Sequence, residues 1–171
     1  IKTPNTIKVR MNNKDELINA KNIIIATGAK PKMPSFLNGK EDYIWNYKNA
    51  MLPKQLPKRL GIIGSGALGS IIGSGAIGIE FASFYNDLGS EVSVFEMQDR
   101  ICPNEDHDIS VTLEKILTKK GIKFFKDSTV EDVSKGKDIQ LISNNKTFNF
   151  DKVLIAIGVE GNTDNLGLEN T

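Results

Sequence analysis

The chain has 171 residues, 39% of them apolar and 25% charged, with a formal net charge of +1. That is the make-up of a globular protein; it carries no excess positive charge for nucleic acid or an anionic membrane surface, and no apolar run approaches the ~18 residues of a membrane span. One cysteine, Cys102, and one histidine, His107, leave no material for an internal disulfide, a redox dithiol or a Cys-rich metal site.

The N-terminus lacks the basic-then-apolar pattern of a signal peptide, so secretion is not expected. Ile1 is not expected to be the natural start. Residues 5–12 alternate apolar and polar as a half-buried strand does, and Asn12-Asn13-Lys14-Asp15 is a turn signal. Leu17-Ile18 reads as a further strand. Asn22–Ala26 (NIIIA) is a continuous β-branched run, expected to be a strand buried on both faces. Residues 31–58 hold four of the six prolines and read as a connection between domains, with Trp45 and Tyr47 inside it.

An alternating αβ pattern follows. Leu60–Ile63 is a short apolar strand. Residues 76–88 place Ile77, Phe81, Phe84 and Leu88 on one helical face, with Gly89 as the stop. Glu91–Phe95 is a strand ending at Glu96. Residues 108–120 form a second amphipathic helix with Ile109, Leu113, Ile116 and Leu117 inward, closed by Lys119, Lys120 and Gly121. Cys102 is expected to be an ordinary loop side chain, since nothing basic pairs with it, and His107 a solvated residue in the polar run NEDHD. Ile122–Phe125 is another strand. Residues 128–134 and 138–150 then alternate as an antiparallel meander with Asn144-Asn145 at a hairpin turn, and Val153–Ile157 is a last buried strand ending in Gly158. The order predicts an α/β fold, a Rossmann-like three-layer domain with a parallel sheet and an antiparallel β-meander.

Residues 61–81, GIIGSGALGSIIGSGAIGIEF, state one phrase twice. Gly64–Gly69 and Gly73–Gly78 are each G-x-G-x-x-G, and residues 62–70 match 71–79 at seven of nine positions. In a dinucleotide fold the first glycine permits the tight turn. The second lets backbone approach a pyrophosphate, and the third allows close helix–strand packing. The helix N-terminus presents free amides to the phosphates, and an acid about 20 residues on receives a ribose. Gly73 lies 23 positions before Glu96 and Gly64 lies 32 before it, which favours the second copy. The site is therefore expected at Gly73, Ser74, Gly75, Ala76, Ile77 and Gly78, with Ser70–Ile72 as the strand that leads into it. Two alternatives stay open: Leu60–Ile63 as the strand followed by a Gly-rich bulge, or a duplication introduced in cloning or assembly. A carboxylate at position 96 would repel a 2′-phosphate, so NAD(H) is favoured over NADP(H), with Arg100 four residues on as the one nearby cation.

Three separated stretches, GSGAIGIEFASFYNDLGSEVSVFE, RICPNEDHDIS and VLIAIGVEGNTDNLGLE, together with the upstream IIIATGAKP, resemble the dihydrolipoamide dehydrogenases among the flavin-dependent pyridine nucleotide-disulfide oxidoreductases. The resemblance implies residues 1–34 as the end of a first FAD-domain segment, 35–160 as an NAD-binding domain and 161–171 as the return toward the FAD domain. It implies NAD contacts at Gly73 through Gly78, Ile79, Glu80 near the nicotinamide, Glu96 at the adenosine ribose, Val130 beside the adenine and Gly158 at the nicotinamide end. Thr27, Gly28 and Ala29 would pass near FAD. Gly161 departs from the pattern, in which a proline is usual before Asn-Thr. The whole enzyme would pass electrons from dihydrolipoamide through a dithiol and FAD to NAD. It would work as a homodimer serving lipoyl domains of 2-oxoacid dehydrogenase complexes, in bacterial cytoplasm or the mitochondrial matrix. The dithiol, the first FAD fingerprint and the acid–base His–Glu pair are not in this stretch, so no catalytic residue and no metal ligand is assigned. The stretch alone is expected to bind NAD(H) weakly and to catalyse nothing on lipoamide. A glutathione- or mercuric-reductase-like parent, and a stand-alone dinucleotide-sensing module, are the competing expectations.

Overall fold

The structure, a computed structural model, describes residues 1–65 and 76–171. The described chain divides into two compact units, residues 1–30 with 160–171, and residues 31–159.

In the first unit, β1 (Thr6–Met11) and β2 (Lys14–Asn19) form an antiparallel hairpin. Its two-residue turn, Asn12 and Asn13, takes positive φ at both positions (49° and 61°), the geometry that matches strand twist and that asparagine tolerates. The Thr27 hydroxyl donates to the Asn162 carbonyl at 2.7 Å, and Lys30 pairs with Asp164 at 2.8 Å. The expected strand at Asn22–Ala26 does not form: the segment pairs with no neighbour among the described residues, and Ile24 is 90% exposed. A β-branched run becomes a strand only where adjacent strands receive its amides and carbonyls. Further on, β3 (Ala29–Pro31) pairs with β12 (Val159–Gly161).

The second unit is built on a five-stranded, all-parallel sheet. Along the chain its elements are β4 (Ile44–Trp45), α1 (Tyr47–Met51), β5 (Arg59–Ile63), α2 (Ile77–Asp87), β6 (Glu91–Phe95), α3 (His107–Lys119) and β7 (Lys123–Phe125). The antiparallel meander β8 (Val130–Lys135), β9 (Ile139–Ser143), β10 (Lys146–Phe150) comes next, and β11 (Lys152–Ile155) returns to the sheet. The spatial order is β4-β11-β5-β6-β7. Strand alternation sends Leu60, Ile62, Val92, Val94 and Leu154 toward the helices, and Ile63, Phe95, Val153 and Ile155 toward the meander. Three layers result, as the pattern predicts. On the meander side Phe95 stacks on Phe125 at 4.8 Å between ring centres and meets Phe148 edge-on at 5.0 Å.

Three expectations are corrected. Residues 31–58 are no mere connection: Leu37, Ile44 and Ala50 are buried, β4 is the sheet's edge, and Trp45 packs 6.1 Å from Tyr85. The prolines bracket short elements there rather than exclude them. Both helices bury a face that overlaps the expected one only in part: Ile77 and Phe81 of α2 and Leu113 and Leu117 of α3 do reach the core. In α2 the buried set is Gly78, Ile79, Ala82 and Tyr85, while Phe84 and Leu88 are about half exposed. In α3 Ser110 and Leu117 are buried, Leu113 packs against the core, and Ile109 and Ile116 lie outside. A helix turns the face that allows closest approach, so small Gly78 and Ala82 face the sheet and the bulkier phenylalanine does not.

The strand slot is the third correction. Arg59–Ile63 fills it, paired with β6 on one side and β11 on the other, and Ser70–Ile72, expected there, lie outside the described residues. Two side-chain positions decide this. Leu60 is fully buried, and a Cβ at Gly61 would stand 2.8 Å from the Phe150 ring. A slip of nine residues would set Gly69 in Leu60's place and Ser70 in Gly61's. The first change empties the core and the second overfills it.

Candidate functional site

In an open α/β sheet, ligands bind beyond the carboxyl ends of the strands where strand order reverses. Here that point lies between β5, continued outward by β6, and β11 on its other side. Gly64 follows β5 directly. Its φ is +93°, its N–H donates to the Phe95 carbonyl at 2.8 Å, and a Cβ on it would lie 2.7 Å from the Ala156 carbonyl oxygen. Only glycine satisfies both the left-handed backbone and the close approach.

Gly78, in the first turn of α2, comes against the same corner. A Cβ there would overlap the Gly64 carbonyl oxygen and lie 3.3 Å from the Ala156 Cβ. The helix start is thereby drawn onto the ends of β5 and β11. α2 has Ala76 as its N-cap, with no side-chain cap. Among the described residues its leading amides have no side-chain acceptor, the condition that suits an anion.

Glu96, one residue past β6, is only 2% exposed, and its carboxylate is held on both oxygens. Oε2 accepts the Ser65 N–H at 2.8 Å and the Ser65 hydroxyl at 2.6 Å; Oε1 accepts the Gln98 N–H at 3.0 Å. Ser65 is itself buried. Its hydroxyl also accepts the Cys102 N–H at 3.3 Å, and the Cys102 carbonyl accepts the Ser110 hydroxyl at 3.1 Å. The turn after β5 is thus bound into a buried polar chain that reaches α3. Burial, with the carboxylates of Glu105 and Glu96 near, pushes the Cys102 thiol up to about 11, so the reading of Cys102 as an inert side chain fits its surroundings.

Beside the carboxylate lies a cavity of about 250 Å³ lined by Ile63, Gly64, Phe95, Glu96, Val130 and Ile157, among others. Its lining residues are apolar apart from Glu96, Lys32, Ser128 and Thr129. The Ser128 N–H donates to the Glu96 carbonyl at 2.9 Å, which fastens the lead into β8 to the end of β6. A flat, mostly apolar base with one sugar would meet the right surfaces here.

The remaining expected residues are placed as follows. Glu96, Val130, Ile77, Gly78 and Ile79 all belong to the second unit. Glu96 and Val130 share the cavity, while Ile79 lies on the buried face of α2. Glu80 is exposed and lines a separate apolar groove with Met51, Phe81 and Phe84. Gly158 has φ +107°, and its carbonyl accepts the Lys32 N–H at 3.0 Å. Gly73, Ser74 and Gly75 lie outside the described residues. Thr27, Gly28 and Ala29, in the first unit, are exposed; Gly28 takes φ +74° and its carbonyl accepts the Asn162 N–H at 2.9 Å. Sequence reasoning did not find Gly64, Ser65 or Ile157. The signal for Gly64 and Ser65 was present, since they open the first copy directly after β5. Ile157 carried none beyond its place at a strand end. Among the described residues no cluster of His, Cys, Asp or Glu is arranged to hold a metal ion, and no helix is long and apolar enough to cross a membrane.

Comparison with known proteins gives a consistent result. The profile of the pyridine nucleotide-disulphide oxidoreductases matches residues 1–171. The dihydrolipoyl dehydrogenase of Rhizobium etli is 40% identical over 157 residues, 88% of this chain and 31% of that protein. The mercuric reductase of Lysinibacillus sphaericus is 32% identical over 157 residues, 88% of this chain and 27% of its own length. Among solved structures, the copper(II) complex of the HOCl-induced flavoprotein disulfide reductase RclA from Escherichia coli superposes with a TM-score of 0.82 at 28% identity. It covers 100% of this chain and 37% of that one. The chain spans about a third of the length of the proteins it matches.

Proposed function

The chain belongs to the pyridine nucleotide-disulphide oxidoreductase family, and from that premise we propose that residues 31–159 are the NAD(H)-binding part of a flavoprotein of the dihydrolipoyl dehydrogenase kind. The family's cofactors are NAD and FAD. The observation that carries the reading is the meeting of Glu96, Gly64 and Val130 around one cavity at the carboxyl edge of the sheet.

The residues fit the dinucleotide. Glu96 would accept the adenosine ribose hydroxyls, its carboxylate already oriented by Ser65 and Gln98. Ile63, Phe95, Val130 and Ile157 would flank the adenine. The pyrophosphate would lie at the turn that ends in Gly78, under the leading amides of α2 (Ala76, Ile77). Glu80 and Gly158 are assigned to the nicotinamide end. When bound, NAD supplies the hydride acceptor; this chain's part is to bind and orient it. Thr27, Gly28 and Ala29 are assigned to FAD, which is the less constrained assignment because those residues are exposed in this chain. The whole protein would carry electrons from dihydrolipoamide through a dithiol and FAD to NAD, as a homodimer attending lipoyl domains, in bacterial cytoplasm or the mitochondrial matrix.

A mercuric-reductase-like parent is the second reading, favoured by the Lysinibacillus relative. The two readings share this NAD-binding part and differ in the disulfide substrate, so turnover of the full-length protein with dihydrolipoamide against mercuric ion separates them.

The test for the chain is an NMR titration with millimolar NADH and NADPH. Saturable shifts at the Ser65, Glu96 and Val130 amides are expected with NADH, and about tenfold weaker binding of NADPH. Shifts confined to other residues, or equal affinity for the two, would overturn the assignment.

A further inference from the structure

The doubled glycine phrase leaves a question of register that the described residues answer. The strand before the turn is drawn from the first copy, because Leu60 and Gly61 fit their places and Gly69 and Ser70 do not. The helix after the turn is drawn from the second copy by the same kind of argument. Ile79 is 5% exposed, Ala82 and Tyr85 are fully buried, and the Tyr85 hydroxyl donates to the Ala50 carbonyl at 2.6 Å. Beginning α2 nine residues earlier would set Ser70, Gly73 and Ala76 in those three places. A polar group, a helix-weakening glycine and a large void would follow.

We propose that the dinucleotide-binding turn is a composite of the two copies, with Gly64 of the first copy as its turn glycine and Gly78 of the second as its packing glycine, and that one nine-residue period between them is surplus to both fold and binding. The inference rests on the NAD(H) reading for its binding arm and stands apart from it for its stability arm. A Cβ at Gly78 would overlap the Gly64 carbonyl, so Gly78 stands against the strand-end glycine as the packing glycine of a single fingerprint does, although the two are 14 positions apart where one fingerprint allows five. Removing nine restores five. The same subtraction takes the interval from Gly64 to Glu96 from 32 positions to 23, the spacing that pointed to the second copy. Ser65, in the first copy, is the serine on Glu96 Oε2. The surplus must be housed between Ser65 and Ala76, and those two residues flank the place where a pyrophosphate would meet the helix amides. A closed loop lengthens at slowly growing entropic cost, so the fold can carry the extra period. Binding should suffer more, because bound phosphate needs backbone close to it on the side where the extra residues join.

Because residues 62–67 and 71–76 are identical, deleting any nine consecutive residues within 62–76 gives one product, so deletion of 66–74 is unambiguous. Thermal unfolding and NADH titration are measured on the chain and on this deletion. The deletion is expected to melt at the same temperature or a few degrees higher and to bind NADH about tenfold more tightly. A lower melting temperature, or NADH binding no tighter than the parent's while the parent binds, overturns the proposal. Single substitutions in the parent fix the register independently of any ligand. Gly64→Ala and Gly78→Ala should each lower the melting temperature by several degrees, and Gly69→Ala and Gly73→Ala should leave it unchanged. The reverse pattern, or equal effects at all four, overturns it. If the melting pattern holds and neither protein binds NADH, the composite turn stands and the NAD(H) reading fails.

Discussion

Ser65 gives both its backbone N–H and its hydroxyl to a single oxygen, Oε2 of Glu96, at 2.8 and 2.6 Å. All of these groups are buried, so the carboxylate cannot trade Ser65 for water. Ser65→Ala removes the shorter, charge-assisted bond and leaves the Cys102 N–H without its acceptor. A loss of about 1–3 kcal/mol in stability is expected, with NADH affinity reduced several-fold as the carboxylate loosens. Ser74→Ala is the control and should change neither. Urea unfolding and NADH titration of the two variants check this; equal behaviour would remove Ser65 from the site.

Glu96 itself sets cofactor preference through charge. Glu96→Arg should weaken NADH and strengthen NADPH relative to it, because a guanidinium accepts the 2′-phosphate that a carboxylate repels. The variant buries a large cation where a carboxylate had three donors, so it will also be less stable. Affinities should therefore be compared as the NADH/NADPH ratio at a temperature where circular dichroism shows the variant folded. A ratio unchanged from the parent's would deny Glu96 its ribose role.

Gly61 is held to glycine by packing, not by backbone angle. A Cβ there would meet Phe150 at 2.8 Å on a meander strand that cannot easily retreat, since Phe150 also packs against Phe95. Gly61→Ala should cost about 1–3 kcal/mol. The double variant Gly61→Ala, Phe150→Leu should recover part of it. An additive double variant, measured by chemical denaturation, would show that the two residues do not press on one another.

Much of this was legible in the residue order. The period-two and helical patterns located β5 to β11, α2 and α3 to within a residue or two, and Glu96 was marked by its place at a strand end 23 positions after Gly73. What was not legible depended on partners distant in sequence. The run Asn22–Ala26 reads as a buried strand, yet a strand is a relation between segments, and none among the described residues pairs with it. The buried face of α2 follows the two residues that let it approach the sheet, Gly78 and Ala82, while hydropathy pointed to Phe84. The repeat offered two equivalent turns, and the choice was made by Leu60 and Gly61, through contacts with a strand about 90 positions later.

Cys102 supplies a chemical test of the buried chain beneath the turn. With its thiol pushed up to about 11 by burial and then by Glu105 and Glu96, almost none is thiolate at neutral pH. A disulfide reagent should react with the folded chain far more slowly than with the urea-unfolded chain at pH 8. The linkage has a definite sign. A thiol whose value is raised in the folded state contributes stability in full below its ordinary value near 9, and that contribution is lost as pH rises toward 11. Cys102→Ser should lack this alkaline decline. Rapid labelling of the folded chain would mean that the Ser65–Cys102–Ser110 chain opens readily.

Asp151 controls the opposite end of β5, and its titration runs the other way. Its carboxylate accepts the Lys58 and Arg59 N–H groups, each at 2.9 Å, and the Arg59 guanidinium at 2.7 Å. Partial desolvation works to raise its pKa, but the bonds from Arg59 outweigh it and hold the carboxyl below the ordinary value of 3.8. A carboxylate lowered on folding adds stability above that value and loses it as pH falls through the folded one. Asp151→Asn keeps an acceptor oxygen but removes the charge. It should therefore be less stable than the parent at pH 7, by about 1–2 kcal/mol. The gap should narrow as the pH falls through the parent carboxyl's lowered folded value and its charge is lost. Asp132, lowered by Lys40, will shape the same acid limb in both proteins and cancels in the comparison. Denaturation curves collected from pH 7 down to about 2 read the convergence directly. A gap that stays constant across that range would mean Asp151 acts through shape alone, with its charge contributing nothing to the anchoring of β5.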